Sequence, residues 1–369
     1  MRVLIAPDKF AGTLSAVEAA HAIAEGWADR RPADDVRVAP MADGGPGFVS
    51  VLHEALGGDL VAVTVRGPLG VPTPVTILRH GDTAYIESAQ ACGLHLVEAQ
   101  KREPLRSSSY GVGEAIRAAI DAGAAKVVIG LGGSATNDGG AGLLAALGAE
   151  ADVALDEGVA SLDGATRVDV DAAQRTVAGV ELTMASDVDN VLLGMFGATK
   201  TFGPQKGIDE DDIPRVDGIL DSYVVAACGT SPADRRVADT AGAGAAGGLG
   251  FGLLLLGARR RSGIEMVAEA VGLEDLARNC DVVVSGEGAY DFSSRGGKVV
   301  YGVAQVAAEA LRPCVVIAGS VLVGAREMRA MGIESAYALV DIVGEEKALG
   351  EPAASLRTVA ARVARTWSR

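Results

Sequence analysis

The chain has 369 residues, 49% of them apolar, 4% aromatic and 49 of them glycine, a length that at roughly 150 residues per domain predicts two cores. Asp and Glu number 48 against 33 Lys and Arg, a formal charge of −15, so the overall field opposes nonspecific attraction to nucleic acid or anionic lipid. An anionic ligand must then be held by local donors and bridging cations. Cys92, Cys228, Cys280 and Cys314 are scattered, and His21, His53, His80 and His95 show no metal spacing, which argues against a zinc hydrolase and reads the cysteines as reduced core residues.

In chain order, RVLIA (2–6) reads as a strand and PDKFAGTLSA as a loop. AVEAAHAIAEGWADR is a helix, with Ser15 as its N-cap and Glu18 three residues on. The apolar stretch of MRVLIAPDKF is too short for a signal sequence, and LGFGLLLLGA (249–258) covers about half a membrane span, so a cytoplasmic protein is expected. VRVA (36–39), the loop PMADGG and the helix VSVLHEAL repeat the strand, loop, helix unit. LVAVTV, PVTILR and TAYIES then follow as short strands separated by RGPLG and RHGD, a pattern that predicts antiparallel pairing. The helix GVGEAIRAAIDAG leads to the strand AKVVIGL, the loop GLGGSATNDGGAG (130–142) and the helix GLLAALG. Beyond lie VELTM with its loop SDVDN, a turn at GPQKG (203–207), a helix over about 211–227 and the small-residue stretch AGAGAAGGLGFGLLLLGA. CDVVVSG, GVAQVAAEAL, CVVIAG, AREMRAMG, AYALV and a last helix restore strict strand and helix alternation.

The two ends share a parallel α/β rhythm that the middle lacks. The expected organisation is a discontinuous doubly wound parallel-sheet domain, residues 1–59 plus 276–369, with an inserted mixed-sheet α/β domain at 60–275 and a cleft between them. A plain tandem of two domains is the rival.

The glycines of 130–142 follow a strand and precede a helix, so backbone N–H groups can converge on phosphate oxygens, reinforced by the helix dipole. Ser134, Thr136 and Asn137 add donors, while Asp138 suits a Mg²⁺ ion that bridges phosphates, or the hydroxyl that attacks one. No G-x4-G-K-[ST] occurs, which excludes a P-loop kinase. Gly242, Gly244 and Gly247 form a G-x-G-x-x-G, but no strand precedes them, and close helix packing is the favoured reading. More acids follow strands: Asp8 with Lys9, Asp43, Asp187 with Asp189, and Glu287 with Asp291 and Lys298. Gathered carboxylates repel one another unless a cation or proton intervenes. Phosphate donors, a metal, a lysine and a carboxylate are the parts phosphoryl transfer needs.

On APDKF…LSA (6–16), ADGG (42–45), GLGGSATNDGGAG, DVDN (187–190), FGPQKG (202–207), GAGAAGGLG (242–250) and GEG…D…GK (286–298), the chain resembles the bacterial glycerate kinase family over essentially its full length. The resemblance implies phosphorylation of D-glycerate, mostly at the 2-hydroxyl, with ATP and Mg²⁺, on two α/β domains, one Rossmann-like and one flavodoxin-like. Candidate catalytic residues are Asp8, Lys9, Asp43, Asp189, Asp291 and Lys298. Gly132, Gly133, Ser134, Thr136, Asn137 and Lys206 are candidates for the nucleotide, and Asp138, Asp187 and Glu287 for the metal. The chain departs from the family's common pattern at Ala11, Pro46, Ala289 and Ser293, where lysine, glutamate, arginine and glutamine are usual, leaving Lys9 or Arg295 to meet a substrate carboxylate. A kinase for a related small hydroxy acid, or a noncatalytic nucleotide or sugar-acid sensor, are the alternatives. No nucleic-acid or membrane partner is expected.

Overall fold

Ser15 opens the helix Ala16–Arg30 with a capping box: its Oγ accepts from the Glu18 amide at 3.2 Å, and the Glu18 carboxylate accepts from the Ser15 amide at 2.8 Å. Removing that exchange with Ser15→Ala is expected to lower stability by about 1 kcal/mol in urea unfolding. Ala19, Ala20, Ile23 and Trp27 of this helix are buried in one core. These features come from a computed structural model that describes residues 1–291 and 299–368.

The strands in chain order are β1 (Arg2–Ile5), β2 (Asp35–Val38), β3 (Asp59–Arg66), β4 (Pro72–His80), β5 (Thr83–Glu87), β6 (Lys126–Gly130), β7 (Glu150–Ala151), β8 (Val168–Asp169), β9 (Glu181–Ala185), β10 (Arg259–Arg261), β11 (Val282–Tyr290), β12 (Cys314–Val321) and β13 (Ile333–Ala338). They form one all-parallel sheet and a separate mixed sheet, an α/β architecture. The chain divides into two compact units: Met1–Asp43 with Ser50–Gly57 and Gly263–Arg369, and Gly44–Val49 with Gly58–Ser262.

In the first unit the sheet order is β13-β12-β11-β1-β2, parallel throughout. Counted within this sheet the order is 2-1-3-4-5, a doubly wound arrangement whose direction reverses between β1 and β11, and ligands of such sheets bind beyond the strand ends at that reversal. Val3, Ile5, Val282, Val284, Val315 and Ile317 fill the core between sheet and helices. Gly26 has no room for a side chain, since a Cβ there would lie 2.1 Å from the Arg357 carbonyl oxygen of the helix Pro352–Trp367.

In the second unit the order is β10-β9-β6-β5-β4-β3. β3, β4 and β5 pair antiparallel, as their short spacing requires, and β5, β6, β9 and β10 run parallel. The C-terminal ends of those four parallel strands therefore share one edge. A small hairpin of β7 and β8, which no sequence pattern pointed to, lies apart from the sheet.

Two sequence expectations need correction. GPQKG is not a turn: residues 203–206 complete the helix Ala198–Lys206, with Pro204 inside it and Gly207 at φ +100° ending it. Proline's fixed φ is compatible with a helix, at the cost of one N–H and of crowding against the carbonyl four residues back. AYALV is strand only through Ala338, and Leu339–Val343 is already helical. No helix among the described residues is long and apolar enough to cross a membrane.

Candidate active site

In the second unit the segment after β6 is stitched at both ends. The Leu131 amide donates to Ala185 at 2.9 Å, the Ala135 amide to Cys92 at 2.7 Å and the Leu94 amide to the Gly133 carbonyl at 2.8 Å. Between these stitches, the amides of Gly132, Gly133 and Ser134 find no acceptor among the described residues. Gly133 takes φ +64°, a conformation that favours glycine. Lys206 reaches the same place from the end of its helix. It is 2% exposed, and its ammonium donates to the Thr136 carbonyl at 2.6 Å and to Ser134 Oγ at 3.1 Å. Burial lowers its pKa to about 8, against the pull of Cys92 and Asp138. Lys206, Gln205, Phe202, Ala246 and residues 131–134 line a cavity of about 90 Å³. Amides without an acceptor among the described residues and a buried ammonium, lining one cavity, are groups chemically suited to an anion.

Asn137 and Asp138 turn inward, and both are wholly buried. Asn137 donates to Thr199 Oγ1 at 3.0 Å. Asp138 accepts from the Ser109 amide and hydroxyl, each at 2.8 Å, and from the Gly140 and Gly142 amides at 3.1 and 3.2 Å. Burial pushes its carboxyl up, and these four donors oppose the shift. The positive end of the helix Ala141–Leu147, expected to face a phosphate, is occupied by Asp138 instead. Among the described residues no three His, Cys, Asp or Glu side chains come together as a metal cluster.

Beyond β9, Asp187 is half-buried and accepts from Ser262 Oγ at 2.6 Å, while Asp189 is exposed and pairs with Arg260 at 2.7 Å. The segment 44–49 packs on the same edge. A Cβ on Gly44, which has φ +89°, would lie 2.5 Å from the Ala185 carbonyl oxygen, and one on Gly132 would lie 2.8 Å from Gly45 Cα. Glu87, at the end of β5, holds this segment by accepting from the Gly47 and Val49 amides at 3.1 and 3.3 Å.

In the first unit, Asp8 and Lys9 follow β1 and Asp43 follows β2. Lys9 Nζ stands 3.5 Å from Asp8 and 3.6 Å from Asp43, bridging the two. Burial raises the Asp8 pKa to about 6, with Asp43 adding to the rise and Lys9 opposing it. For Lys9 burial works downward, yet Asp43 and Asp8 outweigh it and its pKa rises. The Asp8 amide donates to the Gly286 carbonyl at 2.8 Å, which places it beside the C-terminal half of β11 that carries the buried Glu287. Asp291 follows that strand, and Lys298 lies outside the described residues.

Sequence reasoning missed Glu87 and Ser109. Both act through contacts with residues 40 and 29 positions away, which no local pattern announces.

An α/β fold whose parallel-strand ends carry amide and ammonium donors in one unit and a lysine-bridged carboxylate pair in the other has residue types that phosphoryl transfer uses. Comparison with known proteins sharpens this class. Residues 3–368 match the model of the glycerate kinase family. The chain is 42% identical over 347 residues to a glycerate kinase of Bacillus subtilis, covering 92% of this chain and 90% of the relative. It is 40% identical over 351 residues to a glycerate 2-kinase of Escherichia coli, covering 93% and 92%. The crystal structure assigned to glycerate kinase 2 of Salmonella typhimurium LT2 superposes with a TM-score of 0.80 at 38% identity, over 99% of this chain and 98% of that one. The chain belongs to the glycerate kinase family, and is thereby a transferase of the kinase class.

Proposed function

We propose that the protein transfers the γ-phosphoryl group of ATP to the 2-hydroxyl of D-glycerate, giving 2-phosphoglycerate. The observation that carries this reading is the row of unpaired amides at Gly132, Gly133 and Ser134 beside the buried Lys206 ammonium, in a chain of this family. These donors hold the phosphates, and Lys206 offsets charge on them as the transfer proceeds. Asp8, raised to about 6, is suited to take the proton of the acceptor hydroxyl near neutral pH, and Lys9 fixes the orientation of Asp8 and Asp43. Asp138 builds the loop rather than meeting a ligand, because both its oxygens are already engaged.

The acids after β9 fit a magnesium ion. Mg²⁺ on a nucleotide keeps several waters and needs one or two protein carboxylates. Asp187, half-buried beside Ser262, and Asp189, exposed and paired with Arg260 through one oxygen, would supply hard oxygens of that kind. When bound, the ion neutralises charge on the phosphates.

The test is ADP release coupled to D-glycerate and a panel of small hydroxy acids, with and without Mg²⁺, followed by ³¹P NMR of the product. Turnover only with Mg²⁺, and a product phosphorus split into a doublet by the single proton at C2, is expected. A triplet would move the phosphate to C3, and ligand binding without turnover on any acid would favour a sensor. A related hydroxy acid as acceptor is the second reading, favoured by the exposed methyl groups of Ala11 and Ala289, where the family's lysine and arginine are missing.

A further inference from the structure

The G-x-G-x-x-G segment is not used by the reaction as described, yet its backbone is unusual. Ala246, Gly247 and Gly248 take φ of 52°, 72° and 91°, three left-handed residues in succession that break the helical run Ala245–Leu255. An alanine in that conformation is disfavoured by about 1–2 kcal/mol, and such strain persists only where the surroundings impose it. Close packing explains Gly248, whose Cβ would meet Gly139 Cα at 2.5 Å. At Gly247 the close approach is to Lys206 and to the lysine's own hydrogen-bond partner. A Cβ there would stand 1.8 Å from the Thr136 carbonyl oxygen and 2.7 Å from Lys206 Nζ, in the space where the lysine makes its shorter hydrogen bond. The Gly247 carbonyl in turn accepts from the Gly139 amide at 3.1 Å, which ties the turn to the loop. Lys206 has a third N–H without a partner among the described residues, and it lines the cavity together with Ala246 and Gly132 to Ser134.

We propose that Gly247 is a positioning residue for phosphoryl transfer: its missing side chain keeps open a socket in which Thr136 and Ser134 fix Lys206, so that the remaining N–H meets a phosphate oxygen in the cavity. This rests on the reading above that Lys206 contacts phosphate. The socket has an energetic consequence. With its pKa lowered to about 8 by burial, the amine is half protonated near pH 8. The ionisable groups acting on it are Cys92, held as a neutral thiol with a pKa pushed up to about 12 by burial, and Asp138. An arriving phosphate favours the charged lysine, so binding takes up a proton.

The experiment compares the wild type, Gly247→Ala, Lys206→Met and the double variant in kcat, in KM for ATP and in calorimetry of MgATP binding at pH 8 in buffers of different ionisation heat. The wild type is expected to take up a measurable fraction of a proton per nucleotide, falling as the pH is lowered. Lys206→Met is expected to lower kcat about 10²-fold and abolish the uptake. Gly247→Ala should do the same by displacing the amine, and the double variant should be little worse than either. Normal kcat and proton uptake in Gly247→Ala, with Lys206→Met crippled, would overturn the positioning role and leave the phosphate contact standing. Normal turnover in Lys206→Met would remove the contact itself. If Gly247→Ala does not fold, the wild-type protein carries the test by NMR titration of the Lys206 side chain with and without inorganic triphosphate. A depressed midpoint that rises on binding supports the socket, and a midpoint that triphosphate leaves unmoved refutes it.

Discussion

Asp138→Ala is expected to destabilise the protein by about 3–5 kcal/mol and to abolish turnover with it. The substitution strands the Ser109, Gly140 and Gly142 amides and the Ser109 hydroxyl in a fully buried place, and each unsatisfied buried donor costs about 1–3 kcal/mol. It also uncovers the start of the helix Ala141–Leu147, whose positive end the carboxylate faces. Asp138→Asn should be milder, because the amide oxygen can still accept on one side while its NH2 opposes a donor on the other. Urea unfolding gives the order, and hydrogen exchange across residues 130–142 locates the damage. A stable Asp138→Ala protein that has lost only its metal dependence would show that the carboxylate serves a ligand and not the loop.

Asp8→Asn is expected to reverse the usual link between activity and stability: turnover falls about 10³-fold, and the folded state becomes more stable at pH 7.5. The sign follows from the shift. The Asp8 pKa is raised in the folded state, from an ordinary 3.8 to about 6, because burial disfavours the charged form. Folding therefore favours the protonated acid, and stability from this group is lost as pH rises from about 3.8 through about 6, with no further change above. The gap amounts to at most about 3 kcal/mol, reduced in the variant because Lys9 keeps only Asp43 as a partner. Thermal unfolding of both proteins between pH 4 and 8 should show the variant's advantage growing up to pH 6 and vanishing near pH 4. An advantage independent of pH, or retained activity, would place Asp8 outside the proton transfer.

The residues also show why some features could be read without coordinates. The capping box of Ser15 and Glu18 spans a single helical turn, so spacing alone reveals it. The antiparallel run β3 to β5 is legible because its connections are too short for a crossover. GPQKG misled because glycine and proline are weighed as turn formers, whereas here the helix ends by burying Lys206 against Thr136, 70 residues away. The contacts of Asp138 were hidden for a related reason: an acid that caps a buried loop and an acid that holds a metal have the same neighbours in sequence.

The sequence by itself determined the α/β class, the alternation of strands and helices, the repeated placement of acids and glycines after strands and, through its motifs, the glycerate kinase family. Those properties rest on periodicity, on φ preferences and on residue chemistry, all of which act over a few positions. Only the tertiary structure decided that Asp138 is engaged by Ser109 and its own loop, that Glu87 secures residues 47–49, and that the left-handed residues 246–248 pack against Thr136 and Lys206. The physical reason is that hydrogen-bond satisfaction and excluded volume are settled between segments far apart in the chain, where a missing Cβ or an occupied lone pair leaves no trace in the local pattern.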